Sequence, residues 1–423
     1  MAGNVNFILS LSLITFLLLT SSGSTFSEAA SANRDDGYFD YDLSGSYGPR
    51  KWKNIEKIKD GDYWHSFNLE NGLNVTNECG SSTKQSPIDV CAEPTDTCTE
   101  THEMRPKPGD YEMNSDLIAK QILPNKLRLL MARRTGDEPD PPQIDFSSTG
   151  QGIIDMTNID FKFPSEHTVC GKVYDGEMQY FVYNSQRKRF LAVSFLLDAS
   201  ETNPKNEHLQ EVIDAFMLVY KEDRRKCRRR QRESTSNTAA SSFVSSGGRM
   251  LHEGDDIDGQ YFGAPLNTTT IIEGKREGGL RSHRRQLASP WHPFHPDIQR
   301  SIHFWGYSGS ITEPPCTKFV DWKIMDVPTP ISLTQLAQFK LMLFTHVDEF
   351  CHRTSVHDSK GGVARPTQDP LKYYKCTREN YVSDEESSIC GENGCDTPFG
   401  AGLNRYYPPL VDVTGPPTMT PSN

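Results

Sequence analysis

The 423-residue chain is poor in apolar side chains, with 35% hydrophobic residues and a mean hydropathy of −0.61. So low a share predicts extensive polar loops around one core. Positive charge is also scarce, 45 Lys and Arg standing against 56 Asp and Glu for a net charge of −11. That balance excludes a general nucleic-acid binder. The one basic run, Arg224-Arg225-Lys226-Cys227-Arg228-Arg229-Arg230, is local and reads as a solvated or processing segment. Only residues 7–20 form a long apolar run, and nothing after them could span a bilayer. No P-loop, no G-x-G-x-x-G fingerprint and no Ser/His/Asp signature offers an enzyme class of its own.

What is present fits a secreted domain. The apolar run is too short to span comfortably and is followed by small residues up to Ala29-Ala30-Ser31, so residues 1–30 read as a cleaved signal peptide. The expected destination is the secretory pathway, extracellular or luminal. Ten cysteines, an even number, suit an oxidising compartment. Two glycosylation sequons, at Asn74 and Asn267, agree.

Short β-branched and aromatic runs at 153–154, 159–163, 177–183 and 190–197 predict strands of one antiparallel sheet. Leu209, Val212, Ile213, Phe216, Met217 and Tyr220 recur at a helical period, which predicts an amphipathic helix over 207–220. Residues 221–289, basic and then Ser/Gly-rich, read as a mostly flexible insertion. A capped helix is expected after Ser332 over 333–344. Residues 376–423 read as a Cys-containing, Pro-rich tail, in which Cys390 and Cys395 are near enough to pair.

Five separated motifs then coincide. Gly48-Pro49-Arg50-Lys51-Trp52, Gln85-Ser86-Pro87-Ile88-Asp89, Ser165-Glu166-His167-Thr168-Val169, Gly309-Ser310-Ile311-Thr312-Glu313-Pro314-Pro315-Cys316 with Trp322, and Arg365-Pro366-Thr367-Gln368 resemble the alpha-class carbonic anhydrases, in that family's order. The resemblance covers about 38–91, 145–200 and 300–370. It implies a mainly β, single domain over 31–220 and 290–375, built around a large twisted, mostly antiparallel central sheet with a few surface helices. It further implies a disulfide between Cys79 and Cys316. The family reaction is zinc-dependent hydration of carbon dioxide to bicarbonate, so an active protein would carry zinc and take carbon dioxide and bicarbonate.

That chemistry requires three neutral ligands on zinc and an open fourth position for a water of lowered pKa. Matched to the family, the ligand positions read Asp160, Lys162 and Gln179 instead of histidine. An ammonium has no lone pair, and an amide offers only a neutral oxygen. The proton-shuttle position falls on Gln151, which does not titrate. Groups around the ligands do match: Thr312 and Glu166 correspond to the pair that orients zinc-bound hydroxide, and Glu177 to the carboxylate behind the third ligand. Lys162 is expected to pair with Asp160 or Glu166 at the bottom of the cleft. The twelve histidines include His292 and His295, whose H-x-x-H spacing is a weak metal signal, and His303. Two readings remain: a binding or structural protein with an unknown extracellular partner, or an active enzyme whose ligands lie elsewhere in the register.

Overall fold

The computed structural model describes residues 37–56, 63–73, 76–91, 93–98, 115–132, 141–146, 152–239, 291–295, 297–301, 303–369 and 372–376, with short pieces at 105–106, 111, 113, 390–391 and 394–395. The signal segment, Asn74, Gln151 and Asn267 lie outside them.

Alternation of apolar and polar side chains produces a 12-stranded sheet. In chain order its strands are β1 (Asp96–Thr97), β2 (Arg105–Pro106), β3 (Ile118–Leu123), β4 (Lys126–Met131), β5 (Gln143–Phe146), β6 (Gly152–Lys162), β7 (Gly176–Asn184), β8 (Arg189–Ser200), β9 (Phe304–Gly309), β10 (Val320–Met325), β11 (Thr329–Ser332) and β12 (Tyr374–Cys376). Across the sheet the order is β1-β12-β9-β10-β8-β7-β6-β4-β3, with β11 on β8 and the β2–β5 pair on β6. Most neighbours are antiparallel; β8 runs parallel to β10 and β11, and β12 to β1. The apolar runs at 153–154 and 159–163 belong to the same strand, β6.

Beyond a register shift between Met156 and Asn158, even-numbered residues of β6 face one side of the sheet and odd-numbered ones the other. Phe161 and Phe163 stack on Phe339 at 5.4 and 5.1 Å. Phe339 belongs to a helix whose N-cap, Ser332, forms a capping box with Gln335. The amphipathic helix that begins at Glu207 runs on to Ala239, so the first part of the polar segment continues that helix rather than forming a loop. Its far half is tied down by a bond from Cys227 to Cys351. On the other face Trp64, Phe181, Phe190 and Trp322 form a second aromatic core.

Further disulfides join Cys79 to Cys316, Cys91 to Cys170 and Cys98 to Cys376. Cys390 and Cys395 oppose each other in a two-residue ladder. Among the described residues no cysteine is free, and no helix is long and apolar enough to cross a membrane.

The motif segments meet in space. Arg365 donates to Gln85 Oε1 and to the Ser86 carbonyl at 2.9 and 2.8 Å and lies 5.7 Å from the Trp52 ring. Gln85 in turn donates to the Cys316 carbonyl.

Candidate functional site

The register of three neighbouring strands sets the centre of the cleft. Asp160 on β6 stands opposite Arg128 on β4 and opposite Gln179 on β7, and Lys162 stands opposite Glu177. All five side chains are buried. Cross-strand neighbours at this spacing must interact. Here they do so as charges.

Arg128 grips Asp160 through Nε and Nη2, both at 2.6 Å, while Asn158 donates to the same carboxylate at 3.0 Å. Lys126, two residues before Arg128 and therefore on the same face, lies 3.5 Å from Asp160 and donates to Glu313. Glu313 also accepts from Trp64 and Asn125. Lys162 completes the cluster, with Nζ 3.4 Å from Glu166, 3.5 Å from Glu313 and 3.5 Å from the Tyr41 hydroxyl. Of the two expected carboxylate partners, Glu166 is the one in contact. Three cations (Lys126, Arg128, Lys162) thus share one buried volume with three carboxylates (Asp160, Glu166, Glu313).

The network holds its own charge state. Burial alone would raise Glu313, but Lys126 and Lys162 beside it hold it far below the usual carboxylate range. Burial also raises Asp160, and Arg128 and Lys126 outweigh it. For Lys162 burial lowers the ammonium, yet Glu166, Tyr41 and Glu313 together leave it well above the ordinary lysine value.

Around the cluster runs a second set of hydrogen bonds. Thr312 donates to Glu166 at 2.5 Å. Gln179 donates from its amide nitrogen to Glu166 and to Glu177, each at 3.0 Å. Glu177 also accepts from the backbone N–H groups of Glu166 and His167 and from Ser194, and sits 2.7 Å from His167 Nδ1. His167 Nε2 pairs with the Tyr307 hydroxyl at 2.7 Å.

Glu177 supplies a pH prediction. Burial pushes its carboxyl up, but the His167 ring, the two backbone donors and Ser194 bring it down from 4.5 to about 2. A depressed carboxyl contributes stability above its unfolded pKa and loses it as pH falls through the folded one. Chemical denaturation from pH 6 downward should therefore show stability falling between about pH 4.5 and pH 2, and Glu177→Gln should flatten that part of the profile.

The residues present do not suit a zinc ion. Both Asp160 oxygens are engaged by Arg128, Lys162 presents a charged ammonium, and Gln179 turns its donor nitrogen toward two carboxylates. Three cations around the point where a divalent ion would sit add electrostatic opposition.

Sequence reading missed Lys126, Arg128, Asn125 and Tyr41. The signal was the alternation in Lys126-Leu127-Arg128-Leu129, but basic residues at period two ordinarily mark a solvent face. The hairpin of β3 and β4 lies in a stretch that no motif covered.

Above the network opens a cavity of about 1250 Å³, lined among others by Tyr63, Asn125, Lys126, Arg128 and Glu313. Arg128 stacks at 4.0 Å over the Tyr63 ring. Its Nη1 is buried and has no hydrogen-bond partner among the described residues.

Known proteins resemble parts of this chain. The profile of the eukaryotic-type carbonic anhydrases matches residues 278–370. Alpha carbonic anhydrase 8 of Arabidopsis thaliana is 22% identical over 342 residues, which is 79% of this chain and 59% of that protein. The chain therefore spans less than two thirds of that relative's length. Carbonic anhydrase 7 of Homo sapiens is 41% identical over 52 residues, 12% of this chain and 20% of that one. Among solved structures, dioscorin complexed with ascorbate matches with a TM-score of 0.46 and 16% identity, covering 81% of this chain and 99% of that one. The chain is therefore similar to the eukaryotic-type carbonic anhydrases over residues 278–370 and, at 22% identity, to one alpha-type relative over most of its length.

Proposed function

We propose that this is a non-hydrating relative of the alpha-type carbonic anhydrases, a binding or structural module of the secretory pathway whose cleft is held open by ion pairs in place of a metal. The observation that carries the reading is the Lys162 ammonium, enclosed by Glu166, Glu313 and Tyr41 at a position matched to a zinc ligand. An ammonium so placed has no lone pair to offer a metal and opposes a divalent ion at the same point. The orphaned Nη1 of Arg128 at the cavity wall is suited to an acceptor oxygen of a polar ligand. Disulfides joining distant segments support the secretory route.

Zinc stoichiometry at the cleft and stopped-flow carbon dioxide hydration on the same purified protein test this reading. No hydration above the uncatalysed rate is expected. Zinc-dependent hydration blocked by a sulfonamide would overturn it in favour of an active enzyme with carbon dioxide and bicarbonate as substrates.

A further inference from the structure

Away from the cleft, a pair of imidazoles and a carboxylate converge on the surface. His208 opens the long helix Glu207–Ala239. His295 and Asp297 come from the Trp291-His292-Pro293-Phe294-His295-Pro296-Asp297 segment, on the far side of the 240–290 stretch in sequence. The two rings stack with centroids 3.5 Å apart, a distance at which two imidazolium charges would repel. Asp297 Oδ2 lies 3.5 Å from His295 Nδ1 and 3.8 Å from His208 Nε2. One ligand atom from each residue falls within 4.8 Å of the other two.

These separations have a chemical meaning. Two donors bound to one tetrahedral ion at about 2.0 to 2.2 Å stand roughly 3.4 Å apart. The two separations from Asp297 approach that edge length without any ion to draw them in. Next to these ligand atoms, though not among them, two polar atoms have no hydrogen bond among the described residues. His208 Nδ1 is buried with no hydrogen bond among the described residues, and one helical turn on, Glu211 Oε2 is in the same condition. The scaffold is fixed independently, since Asn206 caps the helix at Leu209 and donates to the Asp297 carbonyl at 2.9 Å. The Asp297 N–H donates to His295 Nδ1 at 3.1 Å, which orients the ring and marks that nitrogen as the one with the lone pair.

We propose that His208, His295 and Asp297 form a site for one divalent transition-metal ion, of the class that prefers mixed imidazole and carboxylate ligands, such as zinc, nickel or copper(II). The ion replaces the Asp297 N–H as the partner of His295 Nδ1 and staples the segment around Phe294 to the start of the helix. With Asp297 largely exposed, a further coordination position faces water. The site is structural in this arrangement and does not depend on what the central cleft binds.

Binding is read on the full chain, stripped with a chelator and titrated with zinc against a chromophoric competitor, and with cobalt(II) for its visible absorption. One equivalent is expected, with a raised melting temperature in the loaded protein. His208→Gln and His295→Gln should each weaken binding by about tenfold or more and abolish the thermal shift, whereas His352→Gln, an exposed histidine elsewhere, should change neither. If one variant fails to fold in chelator, Asp297→Asn and the other histidine variant carry the comparison. Undiminished zinc in the folded double variant would overturn the site and place the ion elsewhere in the chain. A folded wild-type protein that takes up no zinc, nickel or copper(II) would also overturn it.

Discussion

Lys162→Met is expected to lower the unfolding free energy by about 3–5 kcal/mol, measured by urea denaturation at neutral pH. The side chain is 1% exposed and its ammonium is shared between Glu166 and Glu313. Methionine has a similar reach but no charge, so the substitution leaves carboxylates in a volume from which water is excluded. Part of the cost is recovered as they take up protons. Stability of the variant should therefore improve on mild acidification, relative to the wild-type profile. A loss below about 1 kcal/mol would show that water reaches the cluster and screens it. The substitution is not expected to produce zinc binding in the cleft, because Lys126 and Arg128 remain beside it.

The second large effect is expected in a cycle on Arg128 and Asp160. Either partner alone replaced by leucine should cost about 3–5 kcal/mol, since each leaves the other charged and buried. Replaced together, they should cost less than the sum by a coupling of about 1–3 kcal/mol, read from four denaturation curves. Additive losses would mean that Asp160 is held chiefly by Asn158 and Lys126. The same logic predicts that histidines at 160, 162 and 179 would not by themselves rebuild a metal site. Removing Asp160 strands Arg128, and removing Lys162 strands Glu166 and Glu313.

How far the site was legible varies residue by residue. Glu166, Glu177 and Thr312 could be found because they sit inside or at a constant offset from short motifs, and in the fold they bond to one another through Gln179 or directly. Strand alternation puts residues 160 and 162 on one face and so offers Asp160 as a partner for Lys162, while Glu166 is offered by its motif. Alternation could not choose between them, because the choice depends on Arg128 claiming Asp160 first. Arg128 and Lys126 belong to no motif, and their strand reads as amphipathic. Their burial follows from the β4 to β6 pairing together with Tyr63, Trp64 and Glu313 packed over that face. His208 and His295 likewise carry no joint signature, being separated by a stretch of polar sequence.

By itself the sequence determined the elements whose physics is local. These are the capped helix after Ser332, the apolar stripe that starts at Leu209 and the period-two strands. It also determined that Asp160, Lys162 and Gln179, the positions the family resemblance offers as ligands, are not histidine. Only the tertiary structure decided what fills the space instead. Coulomb energy depends on distance and dielectric, and both are created when β4, β6 and β7 close over the cluster and exclude water. Three lysine and arginine side chains that would each be ordinary surface charges on an isolated strand become, once buried opposite three carboxylates, the floor of the cleft.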